Sequence, residues 1–110
     1  MTITPTFAAG SLCLHVTGRL DALTSRDFET KCLESVAANP PRVVLNFEGV
    51  NYVSSAGVHA IVAVGKTVQK CGGVLALCGL KGTVQTVLEV SGLYSTFPVY
   101  ESAEAALESR

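Results

Sequence analysis

The sequence predicts an α/β domain with a mainly parallel sheet. Segments with the period of a strand alternate with segments that have the period of a helix, and glycine-containing turns join them. Two of the predicted strands, Val43–Phe47 and Val74–Cys78, are almost entirely apolar. Apolar runs of this kind are typical of strands buried on both faces, as in parallel sheets that helices cover. We expect right-handed crossovers between such strands.

The first predicted strand covers residues 11–17, where apolar residues at alternate positions form one covered face. Gly18 is expected to end this strand. A helix follows, with Thr24 or Ser25 as candidate N-caps and apolar residues at helical spacing. The apolar stripe consists of Phe28, Cys32, Leu33 and Val36. The Asn-Pro-Pro sequence at residues 39–41 is expected to stop the helix, because proline cannot continue it.

The rest of the chain continues the alternation of strand and helix. The strand Val43–Phe47 leads to a long helix that is expected to end at residues 71–73, where glycine readily takes a left-handed conformation. After Val74–Cys78 we expect a third helix, a short strand at 97–100 and a last helix that opens at Ser102. The predicted apolar stripes are Val58, Ile61, Val62, Gly65 and Val68 in the long helix, and Val84, Val87 and Leu88 in the third.

Composition bounds the size of the fold and excludes several classes of function. Of the 110 residues, 48% are hydrophobic and 15% are charged, which suits one core and a single domain over residues 1–110. The formal net charge is −1 and the basic residues are scattered, so nucleic acid is not an expected partner. The N-terminus lacks the pattern of a secretory signal, and no apolar run approaches the roughly 18 residues of a membrane span. We therefore expect a cytoplasmic protein without membrane insertion.

The cysteines do not form a recognisable redox or metal motif. Cys13, Cys32, Cys71 and Cys78 lie too far apart for a CxxC pair or a zinc knuckle. Each stands in an apolar pattern, so we expect free thiols packed in the core. A link between Cys71 and Cys78 is the alternative, which a reducing cytosol disfavours. The sequence also lacks a phosphate-binding loop motif, so neither a metal nor a cofactor is expected.

Two serines, Ser54 and Ser55, stand where the second predicted strand meets the long helix. Ser54 is expected to cap the helix by accepting a backbone N–H bond, a contribution of roughly 1 kcal/mol. Ser55 is not needed for capping, and its small neighbours Ala56 and Gly57 leave the hydroxyl accessible. A phosphate on Ser55 would gain from the helix dipole, yet it would add nearly two negative charges to any surface that docks there. The junction is therefore a candidate phosphorylation switch.

His59 lies four residues after Ser55 on the same helical face, so a serine–histidine nucleophile pair has to be considered. The sequence offers no identifiable third group to orient the histidine and no glycine-built loop to hold an oxyanion. We therefore do not expect an enzyme. His59 is interpreted as a surface residue on the polar side of the helix with Lys66 and Lys70, and His15 as a structural residue of its strand.

Several segments, taken in order, resemble one protein family. They are Gly18-Arg19-Leu20-Asp21 after the first strand, Val43-Val44-Leu45-Asn46-Phe47 running into Tyr52-Val53-Ser54-Ser55-Ala56-Gly57, and Val87-Leu88-Glu89-Val90-Ser91-Gly92-Leu93 before Phe97-Pro98-Val99-Tyr100. Together they cover almost the whole chain and resemble the STAS domain, specifically that of bacterial anti-sigma factor antagonists. The resemblance implies a single STAS-like α/β domain, with a mainly parallel or mixed sheet of about four to five strands flanked by helices.

The resemblance also implies a partner-switching function. In the family, the unphosphorylated antagonist binds an anti-sigma factor that is also a serine kinase, and this frees the sigma factor. Phosphorylation by that kinase releases the antagonist, and a metal-dependent serine phosphatase resets it. Ser55 takes the place of the family phosphoacceptor, and Gly57 matches the glycine that opens the helix.

The sequence departs from the family pattern at two positions. Ser54 replaces the usual aspartate, and because a serine carries no charge this could weaken the orientation of Ser55 toward a kinase. Ala56 replaces a second hydroxyl residue and so removes a competing acceptor. Asp21 matches an acidic family position near the same surface, with plain helix capping as its alternative role. The predicted phosphorylation site is Ser55, and the predicted partner-binding residues are Asp21, Ser54, Ser55, Ala56, Gly57 and His59.

The main alternative is a STAS module in a lipid-transport or signalling assembly, where Ser55 is never phosphorylated and the helix only docks. A neighbouring gene for a kinase of the anti-sigma type would favour the first hypothesis, and transporter genes would favour the second. Under either hypothesis, further candidates for the docking surface are His59, Lys66 and Val62 on the long helix, and the turn with Asp21 and Leu23.

Overall fold

The computed structural model describes residues 1–8, 10–37 and 40–108 as one five-stranded sheet with helices on both faces. The strands are β1 (Thr2–Ala8), β2 (Ser11–Leu20), β3 (Arg42–Val53), β4 (Val74–Cys78) and β5 (Val99–Tyr100). The helices are α1 (Ser25–Val36), α2 (Ser55–Lys70), α3 (Gly82–Val90), α4 (Leu93–Thr96) and α5 (Ala103–Glu108). The prediction of an α/β domain with a mixed sheet flanked by helices is confirmed.

The sheet has the strand order β1-β2-β3-β4-β5, in which β2 to β5 are parallel and β1 runs antiparallel to β2. The sequence patterns do not predict β1, because its threonines, Pro5 and Phe7 are exposed and give no apolar run. An edge strand tolerates a proline such as Pro5. Since the parallel strands share one direction, the carboxyl ends of β2, β3 and β4 lie at one edge of the sheet.

Two apolar cores lie on opposite faces of the sheet. The larger one contains residues of α1 to α4, and within it the Phe28 ring meets the Phe47 ring edge-on, with centroids 6.4 Å apart. The smaller core, on the face that α5 covers, consists of Cys13, Val44, Ala76, Cys78 and Ala106. Successive residues of a strand point to opposite faces, so β2 adds Leu12 and Leu14 to the larger core and Cys13 to the smaller. Its central part is therefore buried on both faces, where the sequence predicts one covered face.

Gly18 does not end β2, so this prediction is wrong. The strand continues to Leu20, and its pairing with β3 shifts in register between His15 and Thr17 and again between Gly18 and Arg19. Gly18 has a φ of 99°, a conformation that glycine adopts without strain. Irregular pairing of this kind lets a strand absorb such a residue and continue.

The predicted helices are present, with local differences. Helix α1 ends at Val36, and Asn39 of the predicted stop lies outside the described residues. Val58 and Val62 of the predicted α2 stripe are only half-buried, because Gly57 faces the sheet in the first turn. The buried residues of α2 are Gly57, Ala60, Ile61, Val64, Gly65 and Val68. No helix within the described ranges is long and apolar enough to cross a membrane.

The four cysteines are free thiols, and three of them are buried. Cys71, which follows the last turn of α2, is exposed, so the prediction of a packed thiol is wrong for this residue. Burial raises the pKa of Cys32 and that of Cys78 to about 12, and it also raises the pKa of Cys13. These three thiols are therefore protonated at neutral pH and shielded from reagents.

We expect one thiol of the folded protein to react rapidly with dithionitrobenzoate at pH 8, because Cys71 alone of the four is exposed. The other three should react only after unfolding in urea. Cys71→Ser should remove the rapid reaction of the folded protein, and the other three thiols should still react after unfolding in urea. A rapid phase that persists in this variant would contradict the burial of the remaining thiols.

Candidate functional site

The carboxyl ends of β2 and β3 bring two loops together, the turn at residues 21–24 and the serine junction that opens α2. The backbone N–H of Ser54 donates to the carbonyl oxygen of Leu20 at 2.9 Å. A Cβ added to Gly57 would lie 2.7 Å from that same oxygen and 2.9 Å from Leu20 Cγ. Glycine alone permits so close an approach, so the first turn of α2 lies directly against the end of β2. The two loops predicted from the sequence are therefore adjacent.

Ser54 caps α2, as predicted. Its backbone is extended, with φ −96° and ψ 176°, and its Oγ accepts the N–H of Gly57 at 3.4 Å. Ser55 is the first residue of the helix and is exposed, and its hydroxyl makes no hydrogen bond within the part of the chain that the structure describes. The first turn of α2 contains no acidic residue, so nothing in it offsets the positive end of the helix dipole. The Ser55 hydroxyl is thus open to solvent at a position that favours an anion.

Asp21 organises the turn between β2 and α1. Its Oδ1 accepts the backbone N–H of Leu23 at 3.0 Å and that of Thr24 at 3.2 Å, and its Oδ2 lies 3.5 Å from Arg19 Nε. The Thr24 hydroxyl donates to the carbonyl oxygen of Arg19 at 2.8 Å. Hydrogen bonds of both the Asp21 and the Thr24 side chain therefore order the turn. Desolvation acts to raise the pKa of Asp21, but the hydrogen bonds from Leu23, Thr24 and Arg19 outweigh it and hold the pKa below 3.8.

Arg19 and Tyr52 connect this turn to the serine junction, although the sequence patterns do not single out either residue as functional. The guanidinium carbon of Arg19 lies 4.2 Å from the centroid of the Tyr52 ring, a cation–π contact. The two residues are direct register partners on β2 and β3. Finding such a pair requires the register of two strands that are distant in sequence, and residue periodicity does not contain that information.

A cleft of about 420 Å³ lies between the first two turns of α1 and those of α2. It is lined by Ser25, Arg26, Glu29, Thr30, Ala56, His59 and Ala60. His59 is exposed, as predicted, and it makes no hydrogen bond or ion pair with a carboxylate among the described residues. Nothing there orients His59 as a general base for Ser55. Across the same residues, no group of three or more histidine, cysteine or acidic side chains is placed to hold a metal ion.

Comparison with known proteins identifies the family. A family model described as the STAS domain matches residues 2–106. The chain belongs to the STAS domain family. A Bordetella bronchiseptica protein, whose name includes the words anti-sigma factor antagonist BtrV, is 36% identical over 97 residues, which cover 88% of this STAS domain and 84% of that protein. An anti-sigma F factor antagonist of Paenibacillus polymyxa is 27% identical over 99 residues, which cover 89% and 85% of the two chains.

The fold of this STAS domain is also similar to that of a solved structure. The crystal structure of an anti-sigma factor antagonist from Mycobacterium paratuberculosis superposes with a TM-score of 0.88 and 24% sequence identity. The superposition covers 96% of this chain and 90% of that chain. The architecture of the sheet and helices is therefore shared over nearly the full length of both domains.

We expect Ser54→Ala to lower the free energy of unfolding by about 0.5 to 1 kcal/mol, because it removes the α2 cap, whose 3.4 Å bond is long for its type. Ser55→Ala is the matched control next to it and should change stability by less than about 0.5 kcal/mol, since its hydroxyl has no partner among the described residues. Urea denaturation followed by circular dichroism measures both. Equal losses in the two variants would contradict the assignment of Ser54 as the cap.

The lowered pKa of Asp21 predicts a stability contribution that depends on pH. The carboxylate stabilises the folded state above the ordinary pKa of 3.8, and this contribution is lost as the pH falls through the lower folded-state value. Asp21→Asn should therefore be less stable than the parent at pH 7, and the difference should shrink as the pH is lowered from 4 to 2. Urea denaturation across this range is the measurement, and a difference that stays constant with pH would refute the prediction.

Proposed function

We propose that this STAS domain is an anti-sigma factor antagonist that switches partners through phosphorylation of Ser55. In its unphosphorylated form it binds an anti-sigma factor that is also a serine kinase, and the sigma factor is set free. The kinase transfers the γ-phosphoryl group of ATP to the Ser55 oxygen: the new O–P bond forms as the bond from the γ-phosphorus to ADP breaks, ADP leaves, and the hydroxyl proton is released. The modified domain then dissociates. A metal-dependent serine phosphatase hydrolyses the phosphate ester and restores the binding form. The domain itself performs no catalytic step.

The exposed hydroxyl of Ser55 at the start of α2 is the observation that carries this proposal. A kinase has to reach the acceptor oxygen, and Ser55 is accessible without any unfolding of the domain. Ser54 is occupied as the helix cap, and Ala56 has no hydroxyl, so Ser55 is the suitable acceptor at the junction. Membership of the STAS family and the names of the two relatives support an antagonist role.

A phosphate on Ser55 is expected to change docking far more than folding. At the N-terminus of α2 the helix dipole favours the phosphate by about 0.3 to 1 kcal/mol. At the centre of an interface, the same group would bring nearly two negative charges into a poorly solvated place, which costs several kcal/mol unless cations are ready to receive them. Because about 1.4 kcal/mol corresponds to a tenfold change in affinity, a loss of roughly 100-fold or more follows.

Ser54 stands where the family usually has an aspartate, and in this proposal it acts as the helix cap. Its hydroxyl caps the helix and so keeps Ser55 at the first helical position, but it adds no negative charge beside the acceptor. The other proposed contact residues surround Ser55. Asp21 holds the neighbouring turn, Gly57 lies against β2, and Ala56 and His59 line the cleft between α1 and α2.

The experiment incubates the domain with ATP and the anti-sigma factor kinase encoded nearest to it, followed by intact mass measurement and fragmentation. We expect one phosphate on Ser55, and none in Ser55→Ala. Ser54→Ala is the second comparison: it should still accept the phosphate, because it retains the acceptor and loses the cap alone. Titration calorimetry then compares the phosphorylated and unphosphorylated parent, with the affinity for the kinase expected to fall by about 100-fold or more on phosphorylation.

Two results would count against this function. If the kinase is active on another substrate and binds the domain but transfers no phosphate to Ser55, the domain is a constitutive docking module. If the phosphorylated domain binds as tightly as the unphosphorylated one, Ser55 is modified without acting as a switch. Ser55→Ala should bind like the unphosphorylated parent, which separates the effect of the phosphate from that of the missing hydroxyl.

A further inference from the structure

His59 is an ionisable side chain beside the proposed modification site, and the proposed function leaves its chemistry unused. It is exposed, and it makes no hydrogen bond or ion pair within the part of the chain that the structure describes. An exposed histidine without a partner is common on protein surfaces and indicates nothing by itself. Its position relative to Ser55 and to the cleft between α1 and α2 distinguishes this histidine from others of its kind.

Ser55 and His59 lie one turn apart on the same face of α2. Ser55 is the first residue of the helix and His59 the fifth. Side chains four residues apart on a helix are neighbours, with Cβ atoms about 5 to 6 Å from each other. Because helical side chains point back toward the N-terminus of their helix, the His59 imidazole extends over the turn that contains Ser55. A phosphate on Ser55 therefore lies within reach of the imidazole.

The cleft between α1 and α2 opens beside these two residues. Ala56 and His59 line it on α2, and Arg26 and Glu29 line it on α1. With 3.6 residues per turn, His59 lies about 40° around the helix axis from Ser55, on the side of Ala56. His59 thus stands between Ser55 and the cleft, and a phosphate that contacts its imidazole lies at the rim of the cleft.

The other charged groups around this rim come in pairs of opposite sign. Arg26 and Glu29 face the cleft from α1, and Asp21 in the neighbouring turn has its Oδ2 3.5 Å from Arg19 Nε. The two members of each pair act in opposite directions on a phosphate at the junction. An imidazole is partly protonated near neutral pH, and a phosphate dianion beside it favours the protonated form. His59 is therefore the cation that a phosphate on its own helix meets first.

We propose that His59 is the positioning residue for the phosphate on Ser55, which its imidazolium holds at the rim of the cleft between α1 and α2. This inference rests on the proposed function, because it specifies how the modified form is organised. The pair is strongest between about pH 6 and 7, where the phosphate has lost its second proton and the imidazole still carries its own. One imidazolium offsets only about half of the charge of a phosphate dianion, so the phosphate still opposes docking.

The test uses the domain with phosphoserine incorporated at position 55 during translation, so that the modified form is obtained without the kinase. Phosphorus NMR follows the second ionisation of the phosphate as the pH is varied. We expect its midpoint to rise by about 0.3 to 0.7 pH unit in His59→Gln, because the cation that stabilises the dianion is lost. His59→Lys retains a positive charge and should keep the midpoint at or below that of the parent.

Lys70→Gln is the matched control, because it also removes a cation from α2. Lys70 lies in the last turn of the helix, about 22 Å along the axis from Ser55, where salt screens its charge. This variant should leave the midpoint within about 0.1 pH unit of the parent. Urea denaturation verifies that each phosphorylated variant is folded.

The possible outcomes separate this inference from the proposed function. Equal midpoints in the phosphorylated parent and His59→Gln would overturn the inference, and so would a rise of the same size in Lys70→Gln. A rise confined to Arg26→Gln would put the partner of the phosphate on α1, and the inference would again be wrong. The proposed function fails on a different result, namely a kinase that binds the domain without modifying Ser55, and that result leaves the pairing of an incorporated phosphate with His59 measurable.

Discussion

The contact between the first turn of α2 and the end of β2 is the constraint on which the rest of the site depends. The carbonyl oxygen of Leu20 accepts the N–H of Ser54, and Gly57 lies so close to it that a side chain would collide. The helix can therefore begin only where Gly57 meets β2. With the helix starting there, the Ser54 side chain bonds to the first turn of α2 and Ser55 is exposed to solvent. The exposure of the proposed acceptor therefore follows from a packing contact between residues that are far apart in the chain.

The residues around Ser55 form an ordered surface on which its hydroxyl is exposed. Among the described residues, the groups that a hydrolase would need do not surround this hydroxyl. Hydrogen bonds to Asp21 order the neighbouring turn, and the stacking of Arg19 on Tyr52 links that turn to the strand that leads into the junction. No carboxylate among the described residues orients His59. An ordered surface that exposes the Ser55 hydroxyl at the start of a helix suits regulation by a charged modification, because the modification alters the surface without having to alter the fold.

The sequence patterns correctly predicted the strands and helices that have a continuous buried face. They failed at exposed or very short elements and at residues whose sequence neighbours fit more than one structure. The apolar runs of β3 and β4 are confirmed, because burial on both faces leaves a continuous apolar run. The stripes of α1 and α2 are confirmed in part, since Leu33, Val58 and Val62 are only half-buried. The exposed edge strand β1 and the four-residue α4 leave no such pattern. Gly18 was expected to end a strand, but a glycine with a positive φ also occurs where strand pairing is irregular, and this is its place in β2. Cys71 is flanked in sequence by apolar residues, which predicted a buried thiol, but it lies beyond the last turn of its helix and is exposed.

The sequence by itself determined the alternation of strands and helices, the cap at Ser54 and the position of Ser55 one residue later, because these depend on neighbours within one helical turn. Its resemblance to STAS domains indicated the family. The tertiary structure decided which loops meet: the contact of Gly57 with Leu20, the pairing of Arg19 with Tyr52 and the cleft between α1 and α2. These contacts follow from strand register and helix packing between distant segments, and local periodicity contains no information about the partner that a segment will meet.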